Sequence, residues 1–455
     1  MKRIFAYAGI DRTIAYLLAG RGSALLSGLV TLSLVAHLLT KAEQGFYYTF
    51  SSLLAMQVLF ELGMSYVVMQ FASHEMARLQ WTVEGGVSGA AEALDRLASL
   101  AQSSLRWYAA VALLLLLILL PAGWIIFSRN AESAAIDWHA PWIWLVGGAA
   151  FNVFLLPVLA LLEGCGRVTE IARLRMLQNV AGGIAAWSAL LLHGGILALP
   201  LMNSVIALTT AAWLWSTKRP FLAQMLGRKV EAGAIAWKAE VLPFQWKIAV
   251  SWVSGYFIFQ LFTPVAFVYC GAAQAGQIGM SMAIANAMMS IAMAWMNARA
   301  PGFGALVAKR DYDALDRLFR FALSRSLAVI LLLGAGLCIA DIALYRMQLP
   351  VAARLLAPLP FAQIIAATIC TYVTYAQSAY LRAHKEEPLM VPSLASAALT
   401  GILTLLLGRW FGIDGIAFAY LAVSATAGLG FSSAIFTARR RHWRALAQSR
   451  ATDGP

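Results

Sequence analysis

The sequence predicts an all-α polytopic membrane protein, with about twelve transmembrane helices arranged as two six-helix, pseudo-symmetric repeats. Three observations lead there. Of 455 residues, 61% are hydrophobic and only 12% charged, and the mean hydropathy is +0.73, far above a soluble domain. Apolar runs long enough to cross a bilayer recur from end to end, and none shows the apolar/polar alternation of a membrane β-barrel. Basic residues also fall on alternate loops. With both termini cytoplasmic and twelve alternating spans, 28 of the 34 Lys and Arg lie on the cytoplasmic side. Only Lys41, Arg129, Arg346, Arg354 and Arg409 lie outside, and Arg21 lies within a span.

The predicted spans of the first half are 12–37, 45–70, 105–128, 139–162, 175–193 and 196–216. Those of the second half are 246–269, 276–299, 321–345, 350–380, 389–410 and 414–437. This divides the chain into an N-terminal lobe (1–218), a cytoplasmic linker (219–245), a C-terminal lobe (246–438) and a basic cytoplasmic tail (439–455). The first span is too long for a signal-peptide core and carries Arg21, so it reads as a retained helix. Outer loops are short, as tight helical hairpins require. Three inner loops are longer. Residues 71–104, around Gly85-Gly86, read as amphipathic helices at the headgroups. In 301–320, Asp313 and Arg317 have the spacing of an i,i+4 pair.

The net charge of +13 is spread over loops and tails, which argues against nucleic acid as a partner and for contact with anionic membrane lipids. Cys165, Cys270, Cys338 and Cys370 have no metal-ligand spacing and read as packing residues. No cofactor or metal is expected. No phosphate-binding G-x-x-x-x-G-K-[ST] run occurs, so nothing points to ATP hydrolysis.

The first hairpin, 12–70, has a charge in each arm. Taking Ala42 as its turn, Arg21 lies 21 residues before and Glu61 lies 19 after, which predicts nearly equal depth on adjacent antiparallel helices. A charge in hydrocarbon costs at least ~2.5 kcal/mol and seeks a partner or a watery cavity. In the second half, Gln260 and Asn286 flank Ala273 symmetrically, with Thr263-Pro264 inviting a kink. Lys247 and Arg299 sit level at the cytoplasmic mouth. The tenth span has a polar face, Thr368, Thr371, Tyr375 and Ser378 at 3-4-3 spacing, which predicts a cavity lining. His37 and Asp341 near the outer ends read as interfacial. Ala42-Glu-Gln-Gly45 aligned with Ala273-Gln-Ala-Gly276 supports the internal repeat.

The stretches Leu39-Thr-Lys-Ala-Glu-Gln-Gly-Phe-Tyr-Tyr, Phe60-Glu-Leu-Gly-Met-Ser-Tyr and Leu242-Pro-Phe-Gln-Trp-Lys resemble Wzx-type polysaccharide flippases. So do Pro301-Gly-Phe-Gly with Lys309-Arg-Asp-Tyr, and Tyr380-Leu-Arg-Ala-His-Lys-Glu-Glu-Pro. These belong to the multidrug/oligosaccharidyl-lipid/polysaccharide exporter superfamily. The resemblance implies two lobes around a central cavity in a bacterial inner membrane. It also implies alternating-access export of an undecaprenyl-pyrophosphate-linked oligosaccharide, alongside polysaccharide polymerase and chain-length proteins. Arg21 would then meet pyrophosphate oxygens, with Glu61 as its exchange partner, or else Arg21 and Glu61 simply pair to lock the hairpin. Lys247 and Arg299 would recruit phosphate or simply follow the positive-inside bias, Gln260 and Asn286 would bond sugar hydroxyls or one another, and Thr371 and Tyr375 would line the cavity. The related lipid II flippases carry fourteen helices, for which this chain has no room. Two alternatives stand beside this reading. A cation-coupled multidrug antiporter needs intramembrane acids, and the first helix has none. A membrane glycosyltransferase or polymerase needs carboxylates on substantial outer loops, and these loops are short.

Overall fold

The computed structural model describes residues 12–129, 136–229, 245, 255–384 and 388–452. The chain divides into two compact units, Met1–Val253 and Ser254–Pro455. Among the described residues, seven helices are long and apolar enough to cross a bilayer, and eight if one bent pair counts as a single span.

In the first unit, α1 (Arg12–Leu38) leads through Leu39-Thr40 into α2 (Lys41–Leu54). Thr40 caps α2: its hydroxyl accepts from the Glu43 amide at 3.1 Å, and its own amide donates to the Glu43 carboxylate at 2.8 Å. A cap of this kind is worth about 1 kcal/mol. The second span then continues as α3 (Gln57–Glu61) and α4 (Met64–Met76). It bends by 45° where Leu62 (φ 52°) and Gly63 (φ 70°) adopt left-handed backbone. Helices α5 (Ala91–Ser128), α6 (His139–Gly164), α7 (Val168–Leu191) and α8 (Ala198–Thr217) supply spans three to six.

In the second unit, α10 (Phe262–Cys270), α11 (Ala272–Ala308), α12 (Tyr312–Arg346) and α13 (Pro358–Ala383) carry spans seven to ten. Met390–Val423 (α14) runs through Gly412 at φ 60° and ψ −136°, a kink that divides the eleventh span from the twelfth. The twelfth passes through a π-helical segment, Ser424–Gly430, into α15 (Phe431–Thr452).

Packing inside the two units repeats. The first span lies along the fifth, and the seventh along the eleventh; the second packs on the fourth, and the eighth on the tenth. The third meets the fourth as the ninth meets the tenth, and the fourth meets the sixth as the tenth meets the twelfth. Small residues make these approaches possible. A methyl on Gly164 would meet the Met69 carbonyl at 2.3 Å and Ala72 Cβ at 2.6 Å; one on Gly334 would meet Ile365 at 3.0 Å. This packing corrects the picture of the first hairpin. The long contact of α1 is with α7, while the second arm packs on α5 and α6.

The inner loops also differ from expectation. Residues 71–104 are helical at both ends, where α4 finishes and α5 begins, with a short hairpin between them. Leu79–Trp81 (β1) pairs antiparallel with Val87–Gly89 (β2), and 91–104 begin the long helix α5, with Leu97 and Leu100 fully buried. The linker starts as helix α9 (Arg219–Gly227), docked on the first unit. The Gln224 amide donates to the Val87 carbonyl at 2.6 Å and accepts from its amide at 2.8 Å, while Arg228 pairs with Asp95 at 2.6 Å. Trp81 stacks on Phe221 and lies under the Arg167 guanidinium, 4.2 Å from ring centre. Asp313 meets Arg444 at 3.4 Å rather than serving a helical i,i+4 pair.

Candidate functional site

Glu61 lies at the last residue of α3, where the second span breaks. Left-handed backbone is costly for leucine, so Leu62 stores strain there, whereas Gly63 takes φ 70° freely. The break turns the α3 C-terminus into a carbonyl-rich end beside the carboxylate. Ser65, one turn on, donates to Glu61 Oε1; the Tyr108 hydroxyl from α5 lies 3.2 Å from the same oxygen and 2.9 Å from Ser65 Oγ. Tyr108 is fully buried. The result is a cluster of one carboxylate and two hydroxyls, an oxygen set able to bind a cation. Sequence reading found Glu61 but missed Ser65 and Tyr108. The signal for the break was present in Glu61-Leu-Gly63, a glycine following an acid inside a span.

Arg21 lies on α1, but its side chain is outside the described part of the structure, as is all of Lys247. On α1, the Thr31 hydroxyl accepts from the Trp187 indole of α7 at 2.9 Å. Elsewhere in the unit, Asn152 donates to Asn203 Oδ1 at 2.7 Å and Gln178 to Thr210 at 2.5 Å. These bonds tie α6 and α7 to α8.

In the second unit, Gln260 lies just before α10, its amide bonded to the Tyr256 carbonyl at 2.9 Å. Asn286 sits mid-helix on α11, half-buried, its carbonyl accepting from Ser290 at 2.8 Å. Arg299 is exposed and stacks over Phe321, with the guanidinium 5.8 Å from ring centre and Arg325 on the same ring at 5.3 Å. The polar face of the tenth span splits in two. Thr368 is 2% exposed and bonds back to the Ile364 carbonyl, and Thr371 bonds back to Ala367 while touching Ser424 at 3.4 Å. Both therefore pack against the twelfth span, Thr371 on Ser424 and both on Tyr420. Tyr375 is 43% exposed, and it is the bulky member of the stripe that remains open.

No family model matches the sequence, and no curated protein matches it. Solved structures do. The chain is similar to an inward-facing multidrug resistance MATE family transporter of the MOP superfamily, with TM-score 0.58 and 16% identity, over 91% of this chain and 99% of that one. It is similar to a eukaryotic MATE transporter with TM-score 0.57 and 11% identity, over 95% and 97%. A third likeness is to the Vibrio cholerae MATE transporter VcmN, with TM-score 0.54 and 14% identity, over 94% and 96%. At these identities the likeness is one of fold: the chain has the all-α, polytopic, two-lobe architecture of the MATE transporters.

Proposed function

We propose that the protein is a membrane carrier that exports a lipid-linked oligosaccharide by alternating access. The observation that carries this reading is the charge of the first helix, which holds Arg21 and no acid across Arg12–Leu38. An arginine at membrane depth suits a diphosphate and repels a cationic drug. The Glu61–Ser65–Tyr108 cluster at the broken second span would serve as the cation-responsive element of the cycle. Release of Ser65 and Tyr108 from Glu61 changes the bonding that flanks the bend. No chemistry on the substrate is required of the chain.

A second reading, cation-coupled multidrug antiport, is favoured by the similar solved structures, several of which are named as multidrug or MATE transporters. One experiment separates the two. The chain is expressed in a strain lacking its own flippase, and surface polysaccharide and resistance to cationic drugs are both scored. The expected result is restored polysaccharide with unchanged resistance. Restoration should be lost in Arg21→Ala, weakened in Arg21→Lys, and not recovered in the swap Arg21→Glu with Glu61→Arg. Raised drug resistance without polysaccharide overturns the flippase reading, and full export from the swapped protein rejects Arg21 as a ligand.

A further inference from the structure

Beyond the break, α4 carries a polar stripe that the function above does not use. Tyr66, Gln70 and His74 recur every four residues, hence on one face. Tyr66 is 45% exposed, and the Gln70 amide donates to its hydroxyl at 3.2 Å. An exposed polar stripe on a membrane helix must look at protein or water. Here it leads from the break to a cleft of about 770 Å³, lined by Gln70, Phe71, His74, Arg78, Glu92 and Arg96, with Glu75 on its wall. That volume suits a ligand of several hundred daltons.

The charges of the cleft are unequally committed. Arg96 and Glu75 meet at 2.8 Å with side chains 27% and 12% exposed, a settled pair that forms the floor. Arg78 and Glu92 stand 3.8 Å apart with side chains 66% and 78% exposed, a loose pair at the rim. Exposed pairs of this geometry are worth little, so a better anion displaces Glu92 from Arg78 at small cost. His74 offers a second base beside it, and Phe71 offers an apolar wall. The loosely held Arg78 at the rim, the Phe71 wall and the polar stripe of α4 together suit an anionic headgroup on a lipid chain.

We propose that this cleft, bounded by α4 and the start of α5, is a docking site for the diphosphate of a polyprenyl-linked substrate, with Arg78 as its principal ligand. Glu92 is the competing carboxylate that vacates Arg78 on loading. The proposal rests on the flippase reading for its cargo, but binding is scored without export, so the two can fail separately.

The test uses the purified full-length protein in detergent and geranylgeranyl diphosphate as probe. Wild type is expected to bind it saturably. Arg78→Gln should weaken binding about tenfold, the loss of one charge-assisted contact. Glu92→Gln should tighten it about twofold to threefold by removing the competitor. Melting temperatures of both variants should match wild type, because both side chains are largely exposed. Unchanged affinity in Arg78→Gln overturns the site. Equal displacement of the probe by phosphatidylglycerol overturns the assignment of its occupant, making it a resident membrane lipid. Displacement by inorganic pyrophosphate, but not by phosphatidylglycerol, supports the diphosphate.

Discussion

Replacing Asp316 by asparagine tests how the cytoplasmic end of the second unit is held. Asp316 is 1% exposed and precedes the apolar run of the ninth span. Its carboxylate accepts a forked pair of bonds from Arg440 at 2.9 and 2.7 Å, a further bond from Arg444, and one from the Tyr380 hydroxyl at 3.0 Å. It thereby joins α12, α13 and α15. Asparagine keeps the shape but loses the charge on which both guanidinium groups converge. Breaking a fully buried pair costs about 3–5 kcal/mol. The Arg440 and Arg444 side chains are 30% and 41% exposed, so water recovers part of this, leaving about 2–3 kcal/mol. For a unit of this size that lowers the melting temperature by roughly 5–10 °C. The assay is thermal unfolding of the purified protein in detergent, with Asp313→Asn, whose partner bond is exposed, as control. The pH dependence carries a sign. Burial pushes the Asp316 carboxyl up, but the Arg440 bond, the Tyr380 bond and the two guanidinium charges outweigh it and hold the group below its ordinary value. Its stabilisation is therefore full above the unfolded value near ~4 and disappears as pH falls through the lower folded value. Wild type and Asp316→Asn should begin to draw together below about pH 4 and converge only below the lowered folded value. A melting shift under 2 °C at pH 7, on the same scale, would refute the clasp.

Two further outcomes follow from packing. Gly164→Ala places a methyl 2.3 Å from the Met69 carbonyl, so it should cost about 1–3 kcal/mol, read as lower thermal stability and lower membrane yield. In a background without native cysteines, Tyr375→Cys should react with a small hydrophilic thiol reagent while Thr368→Cys stays protected, reflecting 43% against 2% exposure. Equal reactivity at the two positions would contradict the divided face of the tenth span.

The spans were legible because a membrane helix announces itself through a long apolar run, independent of what it packs against. The repeat was legible as a count and one matched turn but not as a packing scheme, since the pairing of spans depends on small residues such as Gly164 and Gly334 whose neighbours lie far off in sequence. The hairpin at 79–89 was hidden: three-residue strands carry no readable period, although Gly85-Gly86 marked its turn. Glu61 stood out as a charge in an apolar run. Tyr108 did not, because 47 residues separate it from Glu61 and only the packing of α3 on α5 brings them together. Asp316 was indistinguishable from any cytoplasmic acid until Arg440, 124 residues away, returned to it. Thr368 and Thr371 misled for a related reason. Polarity on a helix face says that the face avoids lipid, and the twelfth span satisfies that as well as a cavity does.

The two repeats share a packing scheme but not a polar content, and that difference indicates where the working parts lie. The eighth span, matched to the second by its contacts, is one 37-residue helix, Ala272–Ala308, whose midpoint carries neutral Asn286. Its counterpart is cut into three pieces, with an acid at the cut and strained leucine next to it. Strain of this kind persists only where surrounding contacts over-determine it, and here those contacts are the bonds of Ser65 and Tyr108 to Glu61. Whatever changes the bonding of that one carboxylate therefore acts on the 45° bend of the span. The same bend sets the direction of α4, whose far end lines the cleft at Arg78. A single helix thus joins the Glu61 cluster to the cleft proposed above as a diphosphate site, and the uninterrupted eighth span has no break to couple in this way.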